Sequence, residues 1–520
     1  MDWPEGFLWG TGASSTQSEG AAPASDWWAW ERQGQAPLSD GGNGFATRYG
    51  EDFALLAGLG LTHHRLSVEW SRLEPVEGEY DPRAVEHYRR LLGSARDHGI
   101  APWVCLHHFT LPRWFLDDGG FLVEANRTGA WARHVDFVAE TFGDLVAGWQ
   151  PVNETNYYAR AAYGGRGWPP GHDDRDEVAV VEESIQLAAA EAAVRLSATG
   201  RPVSSIFGLS AIVVQDDSPD SDALAQRLFD TYWAPGLGLF RDGVLRVRGR
   251  DPVVRPDLAG SFDMIGFSYY AAMGVESGRL AIHPPGAPVS PLGYGIWADG
   301  VGVVLDRLHD ELPGTPLLVA EYGIGTGDDA VRSAYLTRGL EIVHDALDRG
   351  IDVRGFFHWT AVDNYEWLHG FDVAFGIIDR DRTVRDSAHI LAREATGGRG
   401  RRWADPRDPV HPRPSLPCLG CSTGRDPACP TEVRHGRERG RTAADDRTAE
   451  CDHHDGGGGR WSAGTGPEQA NGSGAGGGRG TGPRRWTGGV RFDQLVGNDD
   501  HRGLHGHHRE LARRRRPGRQ

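Results

Sequence analysis

The chain has 520 residues, 39% of them hydrophobic, and a formal net charge of −17. So acidic a chain is not built for nucleic acid or an anionic membrane surface. No run of about 18 apolar residues is present, and the opening residues form neither a basic nor an apolar leader, so no membrane helix and no secretion signal are expected. Lysine is absent, so all 55 basic side chains are arginine, and they are unevenly spread. From Arg399 onward 23 arginines face 15 acids, which leaves −25 on the residues before it. A single cysteine, Cys105, precedes that point, inside an apolar run. It reads as a small buried hydrophobe, and one unpaired thiol suits a reducing, cytoplasmic setting.

In chain order, short apolar runs alternate with longer segments of helical period. Strands are predicted over 7–14, 64–70, 102–109, 148–154, 205–214, 262–270, 317–321 and 353–360. Helices are predicted over 50–58, 82–98, 128–142, 178–196, 300–312, 330–349 and 387–394. Such alternation implies parallel pairing with right-handed crossovers. Eight units across roughly 400 residues fit an α/β fold of the (β/α)8 TIM-barrel type, with one catalytic domain over 1–396. An open doubly wound sheet is the alternative, but no glycine-rich phosphate loop follows the first strand. Over 397–520 the periodicity stops and Gly, Arg, Pro and His dominate. This segment cannot bury enough apolar surface to offset its ordering entropy and is read as disordered. Its Cys418 and Cys421 have C-x-x-C spacing, but no second tight pair accompanies them and no metal site is expected.

Two glutamates stand out. Glu154 closes the run Trp149-Gln150-Pro151-Val152-Asn153, and Glu321 closes Leu317-Leu318-Val319-Ala320. A carboxylate at the end of a buried strand is costly, because desolvation disfavours its charge. Two of them at matching strand ends of one barrel suggest paired-carboxylate chemistry on a glycosidic bond.

Seven motifs then point to one family. Phe7-Leu8-Trp9-Gly10 leads to Gln17-Ser18-Glu19-Gly20, and Arg65-Leu66-Ser67-Val68-Glu69-Trp70-Ser71-Arg72 follows. Next come Leu106-His107-His108-Phe109-Thr110-Leu111-Pro112, Asn153-Glu154 and Ala320-Glu321-Tyr322-Gly323. Asp363-Asn364-Tyr365-Glu366-Trp367 and Phe375-Gly376 complete the set. In this order they resemble the family 1 glycoside hydrolases, the β-glucosidase family.

The resemblance implies a retaining β-glycosidase that needs no metal and no organic cofactor. Glu321 would be the nucleophile and Glu154 the acid that later acts as base, with the pair about 5–5.5 Å apart. Arg65 and Tyr270 would keep Glu321 ionised, while burial and a negative neighbour would keep Glu154 protonated, so the two pKa values should move in opposite directions. Gln17, His108, Asn153 and Glu366 would hold sugar hydroxyls, and Trp359 would stack under the ring. Trp367 and Phe375 would close the far side. His108 could instead be a satisfied core histidine, and His63, His64 and His107 read as structural. No Arg or Lys falls between Glu366 and Phe375, so an unphosphorylated sugar is expected. The loops 163–172 and 274–295 would form the leaving-group pocket.

Several positions depart from the family pattern. Tyr322 stands for its Asn, Phe109 for its Trp, Ser268 for the Asn of G-x-N-Y-Y, and Ala374 for the Arg of R-F-G. Ala320, Pro151 and Thr155 also differ. A missing indole donor would leave a sugar hydroxyl unpaired, at about 1–3 kcal/mol, and shift sugar preference. The expected activity is β-glucosidase-like and exo-acting, with β-galactosidase, β-fucosidase or transglycosylase as variants. A non-catalytic sugar-binding barrel is the alternative from another class. The only partner implied is a small-molecule β-glycoside, and oligomeric state is open.

Overall fold

The computed structural model describes residues 2–397. Apart from Gly397, which ends the helix Asp386–Gly397, the segment read as disordered, with its four cysteines, lies outside the described residues. Eight strands form the barrel: β1 (Leu8–Gly12), β2 (His63–Ser67), β3 (Ala101–His107), β4 (Gly148–Val152), β5 (Phe207–Gly208), β6 (Ile265–Tyr269), β7 (Leu317–Tyr322) and β8 (Val353–Trp359). Their order is β4-β3-β2-β1-β8-β7-β6-β5, and every pairing is parallel. The ring closes where β4 meets the approach to β5. There Trp149 N–H donates to the Pro202 carbonyl (2.9 Å), Ser204 N–H to the Trp149 carbonyl (2.9 Å), and Glu154 N–H to the Ile206 carbonyl (2.9 Å).

The helices that carry the chain from strand to strand start where the sequence supplies caps. Asp81 accepts from Arg83 N–H ahead of Pro82–Asp97, which buries Tyr88, Leu91, Leu92 and Ala95. Asp174 caps Arg175–Ser197 in the same way. Inside the ring, Leu8, Trp103, Ile206, Met264, Leu318, Ala320 and Phe357 pack into a solid plug, so the barrel is a core and not a pore. No helix among the described residues is long and apolar enough to cross a membrane.

The expected strands are all present, but most end earlier than predicted. The run 64–70 stops at Ser67, and Trp70 already begins the helix Trp70–Leu73. Residues beyond the strand ends are apolar because loops cover them, not because the strands continue. The run 205–214 is two strands. Phe207–Gly208 belongs to the barrel, whereas Ala211–Val214 joins Ala272–Glu276 and Arg279–Ala281 in a separate three-stranded sheet at the rim. Helices Asp26–Arg32, Thr155–Tyr163, Pro219–Tyr232 and Ala234–Asp242 were not anticipated. Their start signals were present in part, as in Ser25, whose hydroxyl accepts from Trp28 N–H. Cys105 is buried as expected, its thiol 3.2 Å from the His107 carbonyl.

The fit of β6 against the approach to β5 is tight enough to test. A β-carbon on Gly266 would lie 2.1 Å from the Ser205 carbonyl oxygen, a backbone atom that cannot step aside. Gly266→Ala should cost about 2–3 kcal/mol of stability, read as a lower denaturant midpoint.

Candidate active site

The strand ends at the carboxyl side of the barrel deliver the polar residues to one cavity. Its lining includes Gln17, His108, Asn153, Glu154, Glu321 and Glu366, together with Tyr270, Trp359, Trp367 and Phe375. The structure therefore brings together every site residue read from the sequence except Arg65, which stands behind Glu321.

Arg65 is the hub. Projecting from β2 and fully buried, it donates through one terminal nitrogen to Glu321 Oε1. The other terminal nitrogen donates to Asn153 Oδ1 (2.6 Å) and to His108 Nδ1 (3.1 Å). Burial pushes the His108 pKa well below the usual histidine range, with the Arg65 charge adding to it. A neutral ring whose Nδ1 accepts from Arg65 carries its proton on Nε2. That nitrogen has no protein partner among the described residues, so His108 offers a donor to the cavity. Asn153 likewise spends its oxygen on Arg65 and keeps its amide N–H groups. His107 instead faces Tyr158 and Phe121 in the packing outside the ring.

Glu321 sits in β7, and Tyr270 O–H donates to its Oε2 at 2.5 Å. Glu154 follows β4 in a left-handed conformation (φ 45°, ψ 60°) that caps Thr155–Tyr163. Its carboxyl accepts from Ser268 Oγ, and it lies near Gly208, where a β-carbon would lie 3.1 Å from the carboxyl carbon. Ser268 is also the register partner of both Gly208 and Glu321.

The two carboxyl groups do not shift in opposite directions as expected. Burial raises both. At Glu321 the Arg65 charge and the Tyr270 and Arg65 hydrogen bonds oppose burial. At Glu154 burial and the Glu321 charge act together, against a weaker Ser268 bond, and push the pKa up to about 8. The separation in behaviour is thus one of degree, set by which group owns the arginine. Glu366, buried near both, is also pushed to about 8 by desolvation and then by the two carboxylates. One fixed cation behind the cavity wall supports one ionised carboxylate.

The remaining contacts fix the other side chains of the cavity. The Gln17 side-chain N–H donates to the Tyr365 carbonyl (2.9 Å) and to Glu366 (3.3 Å), while its oxygen accepts from Ser14 (2.8 Å). The Trp359 and His108 rings lie parallel, 6° apart with centroids at 5.6 Å, and Trp367 is nearly parallel to His108 at 6.2 Å. Phe375 meets Tyr270 edge-on at 5.8 Å.

The profile of the family described as Glycosyl hydrolase family 1 matches residues 1–395. This chain belongs to glycosyl hydrolase family 1. It is an O-glycosyl hydrolase built on the TIM barrel. It is 29% identical to the thermostable β-glucosidase B of Thermobispora bispora over 428 residues, covering 74% of this chain and 87% of that one. Against the bifunctional β-D-glucosidase/β-D-fucosidase of Bifidobacterium breve it is 27% identical, covering 74% of this chain and 96% of its relative. Among solved structures it superposes on the β-glycosidase from Pyrococcus horikoshii with a TM-score of 0.71 and 30% identity, over 76% of this chain and 95% of that one.

The departures from the family pattern differ in reach. Tyr322 points away from the cavity into the packing behind β7, where its hydroxyl donates to the Tyr335 carbonyl (2.9 Å). At Ala374 the turn is braced from outside, by the buried Arg332 donating to the Ala374 carbonyl at 3.0 Å. Phe109 does line the cavity, and the Trp168 ring stands against it at 5.1 Å. Ser268 is the departure that touches a carboxyl group directly. Sequence reasoning flagged the substitution but not the contact, which depends on register between strands distant in sequence. It also missed Tyr157 as a cavity residue, whereas Trp168, Leu292 and Tyr294 lie in the loops 163–172 and 274–295 that it marked as pocket-forming without naming the side chains. Tyr157 had a local signal, three positions after Glu154 in the first turn of the helix that follows it.

Because the Ser268 bond lowers the Glu154 pKa, Ser268→Ala should raise it; Glu321→Gln should lower it by removing the adjacent negative charge. Titration of the Glu154 carboxyl by difference infrared spectroscopy checks both signs, and a shift the other way in either variant contradicts this account.

Proposed function

We propose that this family 1 enzyme is a retaining, exo-acting β-glycosidase of β-glucosidase type, acting on terminal unphosphorylated β-D-glycosides. The observation that carries this reading is the asymmetry between the carboxyl groups in one cavity. Glu321 is held by Arg65 and Tyr270, while Glu154 keeps its proton up to about pH 8.

In the first half-reaction a Glu321 carboxylate oxygen attacks the anomeric carbon. The bond from that carbon to the leaving oxygen breaks, and Glu154 gives its proton to that oxygen. The sugar is now an ester of Glu321, whose negative charge is gone. The pKa of Glu154 falls accordingly, and its carboxylate takes a proton from water as the water oxygen attacks the anomeric carbon. The Glu321 ester bond breaks and the free sugar leaves with its original configuration. An acceptor alcohol in place of water would give transglycosylation.

Gln17, His108, Asn153 and Glu366 supply donors and acceptors for the sugar hydroxyls, Trp359 the face beneath the ring, and Trp367 and Phe375 the far wall. No arginine lines the cavity among the described residues, which supports an uncharged sugar over a phosphorylated one. Residues 2–397 contain all these groups. A chain truncated after Gly397 should therefore keep its activity and its melting temperature.

A β-glucoside with a chromogenic leaving group should be cleaved with release of β-glucose, seen by proton NMR before mutarotation; α-glucose as first product would contradict the retaining step. Glu321→Gln should lower kcat/KM more than about 10³-fold. The rate should fall at the alkaline side as Glu154 loses its proton near pH 8 and at the acid side as Glu321 gains one. A rate rising through pH 8 would remove Glu154 as the acid.

A further inference from the structure

We propose that Ser268 is a positioning residue for the acid step. Its hydroxyl occupies one oxygen of the Glu154 carboxyl, so the proton to be given away sits on the other. It also supports the charge left behind when that proton goes. The inference rests on the glycosidase reading above and adds a residue to its first half-reaction. At this position the chain departs from the family pattern. β6 and the residue after it serve both carboxyl groups. Ser268 O–H donates to Glu154 Oε1, and Tyr270 O–H, two positions on and so on the same face, donates to Glu321 Oε2. Glu321 also has Arg65, whereas Ser268 is the only donor to the Glu154 carboxyl among the described residues.

The surroundings of Oε1 leave this hydroxyl little choice. A β-carbon on Gly208 would lie 3.3 Å from Oε1, which places that oxygen against β5. The Gly208 backbone cannot serve it. The Gly208 N–H donates to Asn156 Oδ1 (2.9 Å), and the Gly208 carbonyl accepts from Asn156 Nδ2 (2.8 Å). For the Ser268 proton the alternative acceptor is the Phe207 carbonyl at 3.5 Å, the far limit of a hydrogen bond. The hydroxyl therefore aims its proton at Oε1. With Oε1 accepting, the proton of the acid form of Glu154 belongs on Oε2. Glu154 lines the cavity, and Oε2 has no protein partner among the described residues, so that proton stays available to the leaving oxygen.

As Glu154 gives up its proton, negative charge spreads over both of its oxygens. The bond from Ser268 then becomes charge-assisted and stronger. It favours the transition state over the ground state, and it does so most where proton transfer is most advanced, with an alcohol that departs poorly. A group that departs as a stable anion draws nothing from it. Alanine at this position would remove that support. It would also let the proton settle on Oε1, against β5 and away from the leaving oxygen.

The test compares Ser268→Ala with the unaltered enzyme on methyl β-glucoside and on dinitrophenyl β-glucoside, whose anion leaves unaided. The ratio of kcat/KM for the methyl to the dinitrophenyl compound should fall at least about fivefold. Ser268→Thr, which keeps the hydroxyl, should hold the ratio within about twofold of the unaltered enzyme. Loss of packing alone would slow both substrates alike and leave the ratio unmoved. A ratio unchanged in Ser268→Ala, or lowered as far in Ser268→Thr, would overturn the role given to Ser268 while leaving the glycosidase reading intact. Glu154→Gln should depress the same ratio much further. If it does not, Glu154 is not the acid, and the glycosidase mechanism fails together with the role of Ser268.

Discussion

A guanidinium with no access to water must find its compensation inside the protein, and in this barrel Arg65 finds it at the point where chemistry is needed. Its two terminal nitrogens reach Glu321, Asn153 and His108, which come from three different strand ends. The charge favours the ionised form of Glu321 against its burial. It fixes the tautomer of His108 and the orientation of the Asn153 amide. The other two carboxyl groups of the cavity have no comparable partner, and burial leaves them protonated near neutral pH. The electrostatic design of the site thus reduces to a scarcity of positive charge.

That scarcity has to be held rigidly, and the support lies in the loops above the strands. Glu69, just past β2, accepts from Ser15, Ser71 and Thr110 hydroxyls, and so ties together the segments that follow β1, β2 and β3. Asp363 pairs with Arg385 and accepts from Gly376 N–H, which anchors the turn carrying Glu366 and Trp367. Groups that never touch the cavity therefore set where its donors and acceptors stand.

Much of this was legible in the amino-acid sequence, and for physical reasons. Period-two and period-3.6 patterns record burial, so all eight barrel strands and seven of the helices could be placed, most of them to within a few residues. Glu154 and Glu321 were conspicuous because a carboxylate ending an apolar run is anomalous on its own terms. Strand ends were overestimated, as at 64–70, because the loops over the catalytic face are as apolar as the strands beneath them. The Ser268–Glu154 bond was not legible. It depends on side chains that meet across register between strands far apart in sequence. The expectation of opposed pKa shifts failed because hydrogen-bond partners can be guessed from motifs, whereas the depth of burial cannot.

Gly208 has a further meaning for how such an enzyme could diverge. The three nearest atoms to a side chain added there all belong to Glu154. The first contact of any side chain gained at that position would be with the Glu154 carboxyl, the acid of the proposed mechanism. Such a change would bear on that group from the shortest strand of the ring.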